Sequence, residues 1–565
     1  MRSGEFLPGF LAVNADAMRV SFWGVDTLED ETARTAVLTR VARTAAGSVP
    51  PGVVEAALRE DPASLTRLLP PFGAVRVDES AAVMVADSMG FRQLYHSAPN
   101  APGTAAMSTS AIAAAEATNT ALDETAVAVQ SLLGWQLGQR TMYAGVRKLE
   151  PDATARLDAG GVRVSLPADQ TREVIPFADA VRDAASLLRV SIEALLDDHP
   201  DAVLQLTGGQ DSRILLSAIP PSRRRGLRAM TVGAQDSGDV QTAAQLAAAC
   251  GLHHEVHGLG DAESLDPEMA WSLCRSASMR LDGMSDPIAL AALGVAESQF
   301  DQGVRISGLG GEVARGFYYV GRVRERAYGR TDADRLARWR MFVNEAVEVE
   351  ALRPDFSAWA RAAAEQAVFD ALSLGGPEWF RATDTLYLRD RMQRWAGVTD
   401  TAVAYERVVI NPMLDESFIR LAAGLAPADK ANSRFLASLQ MALDPELGRI
   451  PLEGRPAPIV YAEPGAFSAA QRAATTGRKA LKKVHQRIRR GTRAPAGGET
   501  IARKVVEHWR RRPEILDVPA LERFVQRGWI DEFLAGRTVP RPSSVAFLTN
   551  LIVLSERSPR LDADE

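Results

Sequence analysis

At 565 residues the chain is too long to bury a single core, which predicts two or three domains. Apolar residues make up 46% and charged residues 24%, an ordinary globular composition, and the formal net charge of -6 gives no global reason to expect nucleic acid as a partner. Two cysteines, Cys250 and Cys274, cannot build a disulfide framework or a zinc site by themselves; both sit in helix-like apolar contexts that suit packing in a reducing compartment. The first residues hold no apolar run of signal length, and no later stretch approaches membrane-spanning length without charges. A cytoplasmic protein with no membrane contact is therefore expected.

In chain order, residues 1–172 read as β-rich with helical insertions. Residues 72–78 and 82–87 predict two short strands joined by a polar turn, followed by a segment over 90–95, and residues 141–149 precede a hairpin that turns at 159–161. An amphipathic helix over 176–200 then leads into the stretch 203–219. There a short apolar run breaks at Thr207-Gly208-Gly209-Gln210-Asp211-Ser212 before Ile214, Leu215, Leu216 and Ile219 return at helical spacing. That pattern is strand, glycine turn, helix, and the first free N–H groups of such a helix make an anion cradle. No Walker lysine is present; Thr207 and Ser212 offer hydroxyls, and Asp211 puts a carboxylate at the phosphate end, where a bound cation makes it sensible. The plain alternative is a glycine turn after a buried strand.

A second buried strand over 227–232, a helix over 239–250 and a third strand through Val256 make successive βαβ units, hence a parallel sheet whose ligands sit at its carboxyl ends. His253 and His254 read as strand-edge polar groups rather than metal ligands. Asp282 and Asp286 precede an apolar run, where a helix cap is the commoner role of Asp. A second glycine motif, Ser307-Gly308-Leu309-Gly310-Gly311-Glu312, lies within 305–318, and residues 330–400 read as helical and arginine-rich. The strongly basic stretch 472–512 reads first as a solvated helical pair, then as a docking surface for an acidic partner, and last as a nucleic-acid site, since no aromatic residues interleave the charge.

The turn 207–212 resembles the pyrophosphate loop of the asparagine-synthetase-like superfamily of ATP pyrophosphatases, which cut ATP between its α and β phosphates to form an acyl-adenylate. The second motif resembles that family's Ser-Gly-x-Gly-x-Asp-x-x-x-Gly-x-Tyr, with Glu312 in the place of the acid and Tyr318 at its end. The resemblance implies an α/β protein. A β-rich N-terminal amidotransferase-like (Ntn-type) domain over 1–172 would precede a parallel-sheet α/β ATP-pyrophosphatase synthetase domain over 173–565. It places ATP and its pyrophosphate on Leu206, Thr207, Gly208, Gly209, Gln210, Asp211, Ser212 and Arg213, on Thr231, Val232 and Gly233, and on Ser307, Gly308, Leu309 and Gly310. Mg²⁺ would be held by Asp211 and Glu312. Glu406 would be the active-site glutamate, although two extra residues separate it from Pro412 and a solvated glutamate at a helix end is the alternative. Asp282, Asp286, Tyr318 and Lys430 would border the substrate pocket.

Two departures narrow the resemblance. The amidase domain of the family uses a cysteine exposed by removal of Met, whereas here Arg2 follows Met1 and no cysteine occurs before Cys250. A guanidinium cannot replace a thiolate nucleophile, so no glutaminase activity is expected. Leu309 stands where asparagine synthetases carry Glu and β-lactam synthetases carry Tyr, and Ala457 falls about where the latter place a catalytic Lys. Together these features resemble the lasso peptide cyclases. That resemblance implies a ligase that adenylates an Asp or Glu side chain of a precursor core peptide and closes a macrolactam with its N-terminal amine, with a leader peptidase and a leader-binding recognition element as partners. The alternatives are a β-lactam-synthetase-like enzyme, a glutamine-independent asparagine synthetase, or a non-catalytic peptide-binding scaffold.

Overall fold

The computed structural model describes residues 7–15, 17–30, 32–98, 103–167, 173–258, 262–298, 303–404, 406–462 and 497–557. Residues 1–6, with Arg2, and residues 472–496 of the basic stretch lie outside the described residues.

The first part is built from two antiparallel sheets. Strands Gly9–Asn14, Met18–Trp23, Tyr95–Ser97, Ala105–Ser108 and Val146–Lys148 form one; Thr27–Glu29, Ala33–Val37, Gly73–Asp78, Ala82–Ala86, Thr154–Asp158 and Gly161–Ser165 form the other. Period-two alternation sends Phe10, Ala12, Val75, Val77, Met84 and Met107 into one buried cluster shared by the two sheets. The alternate residues face outward onto helices. Leu11, Val13 and Ala106 pack with helices Ala111–Thr118 and Glu124–Leu133, and Ala74 and Val85 pack with Val54 and Leu58 of helix Pro51–Glu60. The strands expected over 72–78 and 82–87 and the hairpin at 159–161 are all present.

After the amphipathic helix Phe177–Asp198, five parallel strands form a second architecture, in the order His253–His257, Arg228–Val232, Val203–Gln205, Arg305–Ile306, Val409–Ile410. From Val203–Gln205 the chain first adds strands on one side and then crosses to add two on the other. The sheet therefore changes direction between Val203–Gln205 and Arg305–Ile306, and ligands of open α/β sheets bind at the carboxyl end of such a switch point. Both glycine motifs follow these two strands.

The two architectures share cores. Trp135, Leu133 and Leu137 join the cluster that contains Leu204, Ile306 and Met413, while Leu11 and Ala126 join one built on helices Pro267–Arg280, Gly498–Arg511 and Pro542–Arg557. Cys274 is buried in that second cluster and Cys250 is half-buried, consistent with packing. At the end of the basic stretch, helix Gly498–Arg511 buries Ile501, Val505 and Trp509, so its arginines occupy the outer face of a docked helix. No helix among the described residues is long and apolar enough to cross a membrane.

Candidate active site at the switch point

The first loop is closed by its own hydroxyls. Gly209 N–H donates to Thr207 Oγ1 at 3.1 Å, Thr207 N–H donates to Ser212 Oγ at 3.1 Å, and Gly208 N–H donates to Asp239 Oδ1 at 2.8 Å. Asp211 opens the helix Asp211–Ala218. Behind the loop, Leu206 is buried in the sheet and Gln210 is buried with both side-chain polar atoms unpartnered among the described residues.

The second loop lies directly on the first, and glycine is what permits it. A Cβ on Gly308 would stand 2.6 Å from Ser212 N, one on Gly311 would collide with the Asp211 carboxylate, and Gly310, at φ 105°, leaves no room against Met413 O at 2.7 Å. Ser307 Oγ accepts the Leu309 N–H at 3.3 Å and fixes the turn, and Leu309 packs on the core. Glu312, in the short 3₁₀ turn Gly311–Ala314, is thereby brought beside Asp211.

Arg315 spans the two acids, with Nη1 3.4 Å from Asp211 Oδ2 and Nη2 3.0 Å from Glu312 Oε1. The second oxygen of each acid, Asp211 Oδ1 and Glu312 Oε2, is buried with no hydrogen-bond donor among the described residues. Burial, and then the Asp211 charge, push the Glu312 carboxyl up to about 7; burial also raises Asp211, against the pull of Arg315 and Arg455. Two neighbouring buried carboxylates, each with an oxygen that lacks a donor, fit a hard divalent cation. Among the described residues no three His, Cys, Asp or Glu side chains converge. An ion here would therefore take two protein carboxylates and complete its shell from phosphate oxygens and water, the habit of Mg²⁺.

Other residues expected around ATP and substrate are placed differently. Arg213 is buried and turned away from the loop, donating to the carbonyls of Leu447, Ile450 and Pro451 (Nη2 to Pro451 O at 2.9 Å). It latches the following loop, in which Glu453 N–H reaches Gly208 O at 3.0 Å. The Thr231 hydroxyl is used inside the sheet, on Leu206 O at 2.6 Å and His254 Nε2 at 2.8 Å, while Val232 and Gly233 end that strand at its carboxyl side, where Gly233 N–H reaches His257 O. Glu406 precedes strand Val409–Ile410 and so lies at the amino end of the sheet, opposite both loops; it is exposed and paired with Arg280 at 2.6 Å.

Asp286 is a helix cap, accepting from the N–H groups of Ile288 and Ala289. Asp282 caps a different helix from the one it precedes. It accepts from Ser110 Oγ at 2.6 Å and Ile112 N at 3.1 Å at the start of Ala111–Thr118, across the seam between the two architectures. Lys430 is buried and ion-paired to Asp384 at 2.8 Å, which also accepts from Tyr319 Oη. Tyr318 is buried beside Phe317 and Tyr387, at ring distances of 5.1 and 5.9 Å, and burial pushes its phenol up to about 12. Tyr387 in turn lies next to Glu312 and Arg315, so this aromatic wall flanks the acid pair.

The sequence reading did not single out Arg315, Asp239, Tyr387 or Arg455. Arg315 had a legible signal, three residues beyond Glu312 inside the motif. Arg455 had none, because it reaches Asp211 only through the latch made by Arg213.

No family model and no curated protein matches the chain. Among solved structures it is similar to an allosteric regulatory enzyme of purine biosynthesis and to the glutamine phosphoribosylpyrophosphate amidotransferase from B. subtilis complexed with ADP and GMP. Each is 11% identical and covers 45% of this chain and 60% of that one, with TM-scores of 0.20 and 0.19. At those scores the likeness decides neither fold nor ligand.

Proposed function

We propose that this chain is an ATP-dependent, AMP-forming amide ligase, and within that class a lasso peptide cyclase. What supports the reading is the pair Asp211 and Glu312, held side by side at the switch point of a parallel sheet with one oxygen of each left without a donor. Mg²⁺ held there would neutralise charge on the leaving pyrophosphate. The side-chain carboxylate of the peptide attacks the α phosphorus of ATP and pyrophosphate leaves; the N-terminal amine then attacks the activated carbonyl, AMP leaves, and the amine loses a proton. The chain's own part is positioning. Arg315 orients both acids, Gly308 and Gly310 let the loops meet, and the buried rings of Tyr318 and Tyr387 border them. Fixing amine and acyl group together is worth effective molarities of roughly 10⁵–10⁸ M. Leu309 cannot move a proton, so the base is not supplied at that position.

Pyrophosphate release from ATP-Mg²⁺ with candidate linear core peptides, read beside product mass, tests this. Release that depends on the peptide, with loss of one water from it, is expected. Release that depends instead on a small amino-acid acceptor would indicate a different amide ligase, and no release under any condition would leave a binding scaffold.

A further inference from the structure

The rings beside the acid pair continue outward as an exposed stripe. Phe317 packs on Tyr387 with ring centroids 4.6 Å apart, and both lie against Tyr318, at 5.1 and 5.9 Å. Tyr318 and Tyr387 are buried, but Phe317 is 37% exposed. From Tyr387 the stripe runs along helix Tyr387–Ala396, where the Arg391 guanidinium lies 4.0 Å from the Trp395 ring and Trp395 is 38% exposed. Tyr387, Arg391 and Trp395 follow one another at intervals of four, the spacing of neighbours on one helix face, while Met392, Gln393 and Arg394 are buried.

Singly exposed apolar residues need no explanation, but two features set this stripe apart. Arginines interleave its rings. Arg340 donates from Nη2 to Phe317 O at 3.0 Å, and its guanidinium lies 6.0 and 5.9 Å from the Phe317 and Tyr318 rings. Aromatic residues and arginine together are the composition of recognition surfaces. The two segments that carry these arginines, Ala337–Met341 and Tyr387–Ala396, are both wound as π-helix, a rare winding that is frequent at functional sites. The stripe also lies on a defined side of the acid pair. It is built on chain that follows strand Arg305–Ile306, whereas Val232 and Gly233 end the strand on the other side of Val203–Gln205. A nucleotide held by the two loops and by Val232 and Gly233 would leave the stripe to the other reactant.

We propose that this stripe is where the substrate peptide docks, and that it selects an acidic peptide with an aromatic side chain beside the carboxylate to be activated. The peptide's ring packs on Phe317 at the inner end of the stripe, with Arg340 next to it for the neighbouring carboxylate, and the flanking chain runs outward along Arg391 and Trp395. A ring gives a large rigid contact with few torsions to freeze, and ring pairs gain beyond their buried area. The guanidiniums supply the charge complementarity that favours an acidic chain over a basic one. The inference rests on the amide-ligase reading and adds a side-chain preference to it.

The test is calorimetric titration of the full chain, without ATP, with three blocked dipeptides: acetyl-Phe-Asp-amide, acetyl-Ala-Asp-amide and acetyl-Phe-Lys-amide. Native protein is expected to bind the first at one site with a dissociation constant on the order of millimolar, as befits so small a ligand. The second and third should each bind about tenfold more weakly. Phe317→Ala should bring acetyl-Phe-Asp-amide down to the level of acetyl-Ala-Asp-amide. No saturable binding to native protein, equal affinity for the first two dipeptides, equal affinity for the first and third, or undiminished binding in Phe317→Ala would each overturn the proposal. Should Phe317→Ala fail to fold, the comparison of the three dipeptides on native protein decides. Aromatic-selective binding by a protein that never releases pyrophosphate would sink the ligase reading and keep the stripe as a peptide site. Peptide-dependent release without that selectivity would sink the stripe alone.

Discussion

Two sets of buried acids in this molecule have opposite surroundings. At the seam between the architectures, Asp87 is fully buried and accepts four backbone N–H groups, from Phe72, Met89, Phe91 and Arg92, at 2.8 to 3.0 Å. At the switch point, Asp211 and Glu312 share one arginine and keep an oxygen each without a donor. Burial raises the carboxyl in both places, so burial does not tell the sites apart. Donor count does. A saturated buried carboxylate holds the fold, whereas the pair on two touching glycine loops keeps an acceptor oxygen on each acid unused among the described residues.

The largest expected effect sharpens that contrast. Asp211→Asn should lower peptide-dependent pyrophosphate release on the order of 10³-fold or more, the several kcal/mol a divalent ion supplies to a leaving group, while urea unfolding stays unchanged or improves. Asp87→Ala should do the reverse. By stranding four N–H groups it should cost about 3 kcal/mol or more of unfolding free energy, seen in the urea midpoint. If Asp211→Asn destabilised the fold as much as Asp87→Ala, the contrast would be broken.

A third prediction concerns pH at the seam. Lys148 is buried there with Nζ on Leu149 O at 2.9 Å, and burial, with Arg394 adding to it, pulls its ammonium down to about 7. A lysine that loses its proton more readily when folded penalises the fold fully below the folded value, and the penalty lifts as pH rises from about 7 toward the unfolded value near 10.4. Native protein should therefore gain stability relative to Lys148→Met between pH 6.5 and pH 9; a difference constant with pH would show that the ammonium is not desolvated. The smallest effect belongs to Glu406→Gln. An exposed ion pair contributes about 0–1 kcal/mol, so pyrophosphate release should stay within roughly twofold of native. A large loss would return Glu406 to the active site.

Much of this was legible in the chain itself. The strand–turn–helix at 203–219, the βαβ order that follows it, the paired strands near 75 and 84 and the cap at Asp286 all rest on neighbours within a few residues, and each is where the sequence pattern put it. Asp282 was read as a cap from local pattern, and a cap it is, but of a helix about 170 residues away. Lys430 and Arg213, which the resemblance put at the substrate pocket and the nucleotide loop, turn out to be buried against Asp384 and against three carbonyls.

The sequence by itself determined the two glycine turns, their hydroxyls and their acids, because backbone freedom at Gly208, Gly209, Gly308 and Gly310 and the start of a helix are local properties. Only the tertiary structure decided that the two turns touch. It also decided that Arg315 serves both acids and that Glu406 falls at the far end of the sheet. The reason is that desolvation and donor count depend on what packs around a group. That packing comes from strand order and from a seam between two parts of the chain, which no window of sequence contains.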